Sequence, residues 1–171
     1  MANYFDTWKN VTTHPTLYFK NMPKSGGYIG PIRFLLINLL LGVIGNIILR
    51  FLIDPYIYKG SLIDATINLS IFLLIAGGAG FFINSFIYFI FFKIMGGNGS
   101  YEGTFRQLAY SSAPIAIPIF PIWPIYSLYL MIIGGEHVHN LSKSCSATVI
   151  LLPIITVIFY LIFLALTFPL Y

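Results

Sequence analysis

The groups in this sequence that could do chemistry are few. Glu136-His137-Val138-His139, with Cys145 nearby, is the one metal-like cluster. Two histidines one residue apart diverge on a helix, whereas zinc-protease chemistry needs them four apart with a glutamate between. The string therefore reads as a polar loop with no metal site, although a free imidazole is the side chain that changes charge near neutral pH. Cys145, the single cysteine, makes no internal disulfide and no multi-cysteine site. Ser111 and Ser112 have no flanking general base, and neither a phosphate loop nor a nucleophile elbow is present. The expectation is a non-catalytic chain without catalytic residues or cofactor.

Polar groups inside apolar runs are the next candidates. Asn38, Gly42, Gly45, Asn46 and Arg50 recur at three- and four-residue steps on one helix face, and Ala76, Gly80 and Asn84 do so in the following apolar run. Two readings stand: interhelical hydrogen bonding and close backbone approach at a packing interface, or a polar conduit for an ion or small solute. Neither stripe has a carboxylate at mid-span, which weighs against a proton-coupled pump. The glycines of AGGAGFF (Gly77, Gly78 and Gly80) suit close packing, including a homo-oligomer contact through Ala76 and Gly80, or a hinge.

GGNGSYEGTFRQLAYSSAP is the most individual stretch. Ser100 is placed to cap a helix, and Glu102 precedes Arg106 by one turn in the orientation helices favour. The glycines ahead of it lack the Lys-Ser/Thr tail that holds a phosphate, so the stretch reads as a helix start.

The elements carrying these groups follow from composition. Only 14 of 171 residues are charged, and counting glycine but not tyrosine the apolar share is about 60%, against ~45–50% in a soluble domain. Such a chain has too little polar surface to coat its core and too little charge to be disordered. The net charge of +4 forms no basic stripe, so nucleic acid is not an expected partner. The expected solvent is a lipid bilayer, and the expected fold is an all-α polytopic membrane bundle.

Segments are expected at 31–53, 65–92, 102–119, 125–134 and 147–168. The first, bounded by arginines that can snorkel, spans 23 residues or roughly 34 Å, enough for a hydrocarbon core of about 30 Å. Pro114, Pro118, Pro121 and Pro124 make one straight helix improbable, so two short helices with a turn at 120–124 are predicted; a single kinked span, giving four in all, is the alternative. Residues 1–30 contain no apolar run resembling a signal peptide and read as a cytoplasmic leader, ahead of the transmembrane part 31–171. Tyr4, Phe5, Trp8 and Val11 give it an amphipathic helix lying on the inner leaflet or docked on a protein. With five segments and the N-terminus inside, seven basic residues face the cytoplasm and two, Arg50 and Lys59, face outward, as the positive-inside rule requires.

The chain also resembles the Yip membrane family (Ypt/Rab-interacting proteins), especially its short archaeal and bacterial branch. The resemblance runs from Trp8, Pro15 and FKNMPKSGGYIGP through the Gly-rich loop, Thr104-Phe105-Arg106, Ala109-Tyr110-Ser111, Pro114, then Tyr126, Tyr129 and Gly134, to EHVHNLSKSCSATVILLP. It implies a helical integral membrane protein of no known catalytic activity, similar to adaptors of vesicle traffic that bind small GTPases and one another. Those relatives have an acidic residue in Asp-Leu-Tyr-Gly-Pro; here Gly27-Tyr28-Ile29-Gly30-Pro31 keeps only the Gly-Pro, which puts GTPase binding in doubt. The expected function is a scaffold or adaptor in a prokaryotic cell membrane. Its membrane-protein partner is unidentified, and the candidate partner surface is Tyr28, Gly30, Pro31, Glu102 and Arg106. The rival expectation is a small oligomeric channel or transporter.

Overall fold

A computed structural model describes residues 3–53, 80–117 and 122–167. The sites expected at Ala76, Gly77 and Gly78, and the prolines at 118 and 121, lie outside the described residues. Within them the chain is all-helical: α1 (Tyr4–Thr13), α2 (Pro15–Asn21), α3 (Ile29–Ile53), α4 (Gly80–Ile94), α5 (Tyr101–Ser111), a 3-10 turn (Ala113–Ala116), α6 (Ile122–His139) and α7 (Lys143–Thr167).

Local chemistry sets most boundaries. Pro15 opens α2 at the first helical position, where its missing N–H costs nothing. The Ser100 hydroxyl accepts from the Gly103 amide at 3.1 Å and so caps α5. That helix stops sooner than its expected end at 119. Ser112 Oγ donates to the Ala109 carbonyl at 2.6 Å, and Pro114 supplies no N–H, so the backbone tightens into the 3-10 turn. Helix α6 is longer than the expected 125–134. Pro124 sits in its first turn, where it is tolerated, and the helix runs on through Gly134-Gly135 to His139. The Glu136–His139 string is thus helical rather than a loop. Asn140, at φ 52°, then ends the element in the left-handed region.

Polarity and burial are inverted in this bundle. Every residue of α5 from Gly103 to Ser111 is buried, including Thr104, Arg106, Gln107 and Ser111. In contrast α3 and α7 hold windows long and apolar enough to cross a membrane, Ile29–Leu49 and Lys143–Leu164, of which only 22% and 11% is buried. Helix α5 is the axle. Its Tyr110 joins a core with Val11, Phe19, Phe34 and Ile133; Leu108 joins Tyr88, Phe92 and Ile150; Phe105 joins Leu35 and Ala109. Helices α3 and α5 run parallel, with Leu35 packed on Phe105 and Ala109 and with Asn38 beside Ser112. Helices α5 and α6 are antiparallel, with Thr104 beside His139 and Gln107 beside Met131.

The leader does not lie apart from the bundle. Val11 and Phe19 are fully buried in its core, and α1 and α2 pack on the 3-10 turn and α6. The apolar stripe expected to meet lipid or a partner is consumed by this chain's own helices, leaving Phe5, Asp6, Lys9 and Asn10 exposed.

Candidate functional site

The loop before α3 is tied to the first turns of α5 through one residue. Glu102 Oε1 accepts from the Gly27 amide at 2.6 Å, and Arg106 Nη1 donates to the Gly27 carbonyl at 2.8 Å. The two side chains sit 3.7 Å apart, the helical ion pair expected from their spacing. Both backbone polar groups of Gly27 are thereby held by a neutralised pair through charge-assisted bonds. Gly26 and Gly27, at φ 124° and 86°, give the strap its left-handed path. Tyr28 then stacks edge-on against Phe105 at 5.1 Å, Gly30 lies near the Tyr110 hydroxyl, and Pro31 is fully buried. The five residues of the candidate partner surface are therefore neighbours. Gly30 is exposed, Tyr28 and Glu102 are half-buried, and Pro31 and Arg106 are turned inward.

A second knot lies at the same end. His139 is fully buried, stacks on Phe92 at 4.0 Å with rings 11° apart, and has Nε2 3.0 Å from Thr104 Oγ1. The Thr104 hydroxyl donates to the Ser100 carbonyl at 3.0 Å, so it accepts from His139, which fixes the Nε2–H tautomer. The other ring nitrogen has no partner among the described residues. It faces the Gly-rich loop, where a Cβ on Gly99 would come within 2.7 Å. Burial, and then the nearby Lys93 and Lys24, push the imidazole pKa down to about 4, so His139 is neutral at physiological pH. Burial likewise raises the Tyr18 phenol, with Tyr110 adding to the effect. Among the described residues no three of His, Cys, Asp and Glu are gathered to hold a metal.

The first part of the α3 stripe, Asn38 and Gly42, is covered by protein, while Asn46 is exposed. Asn38 is fully buried, accepting from the Tyr4 hydroxyl at 2.6 Å and donating to Ser112 Oγ at 3.2 Å. A Cβ on Gly42 would meet the Ile115 carbonyl oxygen at 2.6 Å. Gly45 is half-buried, and Asn46 turns back to the Gly42 carbonyl at 2.8 Å. Among the described residues nothing lies within 4 Å of where a Cβ on Gly80 would sit, and Asn84 is exposed. The neighbours of Asn38 and Gly42 are thus the leader and the 3-10 turn rather than the Gly80 and Asn84 stripe.

Several tying residues carried no signal as such in the sequence. Trp8 Nε1 donates to the Ala113 carbonyl at 2.8 Å, Tyr126 donates to the Thr12 carbonyl at 2.5 Å, and Gln107 donates to the Met131 carbonyl at 2.8 Å. Gln107, between Arg106 and Leu108, was the available hint once α5 is buried, since a buried amide N–H there calls for an acceptor.

Among protein-family models, the one described as the Yip1 domain matches residues 9–166. Comparison with curated proteins and with solved structures gives no match.

Proposed function

Because this chain belongs to the Yip1 domain family, we propose that it is a multi-pass membrane scaffold or adaptor that organises other membrane components without catalysing a reaction. The observation that carries the membrane reading is the inverted polarity. The most apolar helices are the least covered, while the polar helix α5 is the most buried, as expected where the surrounding solvent is hydrocarbon. The excess of Lys and Arg before α3 and at the α4–α5 and α6–α7 junctions supports a cytoplasmic N-terminus. Asn38 and Gly42 are satisfied by protein contacts, which supports packing over conduction along that face.

The partner surface in this reading is the outward side of the strap, around Tyr28 and Gly30, held in shape by Glu102 and Arg106. Photoreactive residues at Ser25 and Ile29, both exposed neighbours of Tyr28, are expected to give a discrete protein adduct in intact membranes. Arg106→Gln is expected to reduce that adduct several-fold without lowering the amount of membrane-inserted protein. Adducts with lipid alone would overturn the scaffold reading.

A further inference from the structure

The charged side chains that the structure describes divide between two levels of the bundle. Helix α1, bonded to Asn38 through Tyr4 and to the 3-10 turn through Trp8, carries Asp6 and Lys9, which cancel. The rest lie at the end of the strap. Lys20 closes α2, Lys24 follows it in the strap, Arg33 sits near the start of α3, Lys93 closes α4 and Lys143 starts α7, and all five are exposed. The acids there are Glu102 and Glu136, and the charge of Glu102 is spent. Its carboxylate accepts from the Gly27 amide and lies 3.7 Å from Arg106, in the one ion pair among the described residues. What remains is five bases against the half-buried Glu136, a surplus equal to the net charge of the whole chain, +4.

Two of these lysines come close to the buried middle of the bundle. The Lys24 carbonyl lies 3.6 Å from where a Cβ on Gly103 would sit, in the first turn of the axle. Lys93 follows Phe92, whose ring stacks on the fully buried His139. The surplus therefore extends across the end of the bundle and is not confined to the rim that lipid headgroups reach. A row of rings joins the two sites: Lys93 Nζ stands 5.6 Å over Phe89, which lies 5.9 Å from Tyr101, itself 6.2 Å from Tyr28 in the strap. Ile29, beside Tyr28, is 67% exposed. Bases on this side agree with the positive-inside rule, but that rule is indifferent to which side chains meet. Here the acid nearest the strap is neutralised, so the field over the strap is positive.

We infer that the outer face of the strap docks an acidic segment, a run of Asp and Glu in a protein partner. Lys20, Lys24 and Lys93 meet its carboxylates, and Tyr28 and Ile29 supply the apolar contact. The Glu102–Arg106 pair holds the Gly27 backbone in place beforehand, which lowers the ordering cost of binding. Complementary charge steers the approach and selects against basic partners. The inference rests on the scaffold reading above and gives its partner a chemistry; the experiment separates the two.

The full chain in phosphatidylcholine nanodiscs is titrated with a short fluorescent oligoglutamate, with an oligolysine of equal length as the control. Only the oligoglutamate is expected to bind, and more weakly as salt is raised. Lys20→Gln with Lys24→Gln is expected to weaken binding several-fold, Lys20→Arg with Lys24→Arg to retain it, and Lys9→Gln, at the level of α1, to leave it unchanged. Absence of binding, or equal losses in the Lys9 variant and the Lys20–Lys24 glutamine variant, would overturn the inference. So would loss of binding when phosphatidylglycerol is added to the discs, because an anionic leaflet would then be what holds these lysines. In intact membranes, protein adducts from the Ser25 probe that persist undiminished in the glutamine variant would defeat the inference while the scaffold reading stands. Lipid adducts alone, alongside oligoglutamate binding in the discs, would remove the scaffold reading and leave the acidic site in place.

Discussion

At the scale of single residues, His139 shows how little of a side chain's role its type reveals. In sequence it belongs to the one metal-like string; in the fold it is a neutral, stacked core residue bonded to Thr104. Its folded pKa of about 4 lies below the unfolded value of 6.5, so between those values the unfolded chain binds the proton and the folded chain does not. The stabilisation is complete above pH 6.5 and is lost as pH falls toward 4, about 3 kcal/mol across the window. Thermal unfolding in detergent is expected to shift downward between pH 7 and pH 4.5, and His139→Gln is expected to flatten that dependence. An unchanged slope in the variant would show that other groups carry it. The polar residues of this knot were visible in the sequence; their convergence was not, because His139 meets Thr104 only through the antiparallel pairing of α5 with α6.

Elements were more legible than sites. Long uncharged runs locate α3 and α7 to within a few residues, since only a helix can satisfy its own backbone in apolar surroundings. The Ser100 cap and the Glu102–Arg106 pair were likewise readable, because both depend on spacing within one element. Where α5 ends was not, since Ser112 and Pro114 redirect the backbone before the prolines at 118 and 121 can. Which helix meets the α3 stripe was equally invisible: periodicity defines a face without naming its neighbour. Here the face meets the 3-10 turn, and the contact is close enough to test. Gly42→Ala places a Cβ against the backbone oxygen of Ile115 and is expected to cost about 1–3 kcal/mol of stability. Gly80→Ala, with no close neighbour among the described residues, is expected to be neutral or slightly stabilising. Equal effects at the two positions would mean that the α3 contact is looser than it stands in this structure.

At the scale of the whole molecule, the bundle presents apolar surface outward and gathers its polar contacts inside and at one end. The strap, the His139 knot and the start of α7 share that end, and in the orientation proposed from the placement of Lys and Arg it faces the cytoplasm. Cysteines replacing Ser25 or Ser144 in a Cys145→Ser background are therefore expected to resist an impermeant maleimide in intact cells and to react after permeabilisation. Labelling of either from outside would reverse the proposed orientation. Composition alone set the expectation of a helical chain against lipid, because an apolar excess of this size leaves too little polar surface to coat a core. The charge placement likewise set the expected orientation, with the N-terminus inside. Only the tertiary structure decided that the polar helix α5 is the axle, that the leader's aromatic face is spent on the chain's own helices, and that two tryptophans more than a hundred residues apart meet at one cleft. The physical reason is that hydropathy is a property of each segment separately, whereas burial depends on which segments meet, and contacts such as Tyr4 with Asn38 or Trp8 with Ala113 join parts of the chain that no local pattern connects.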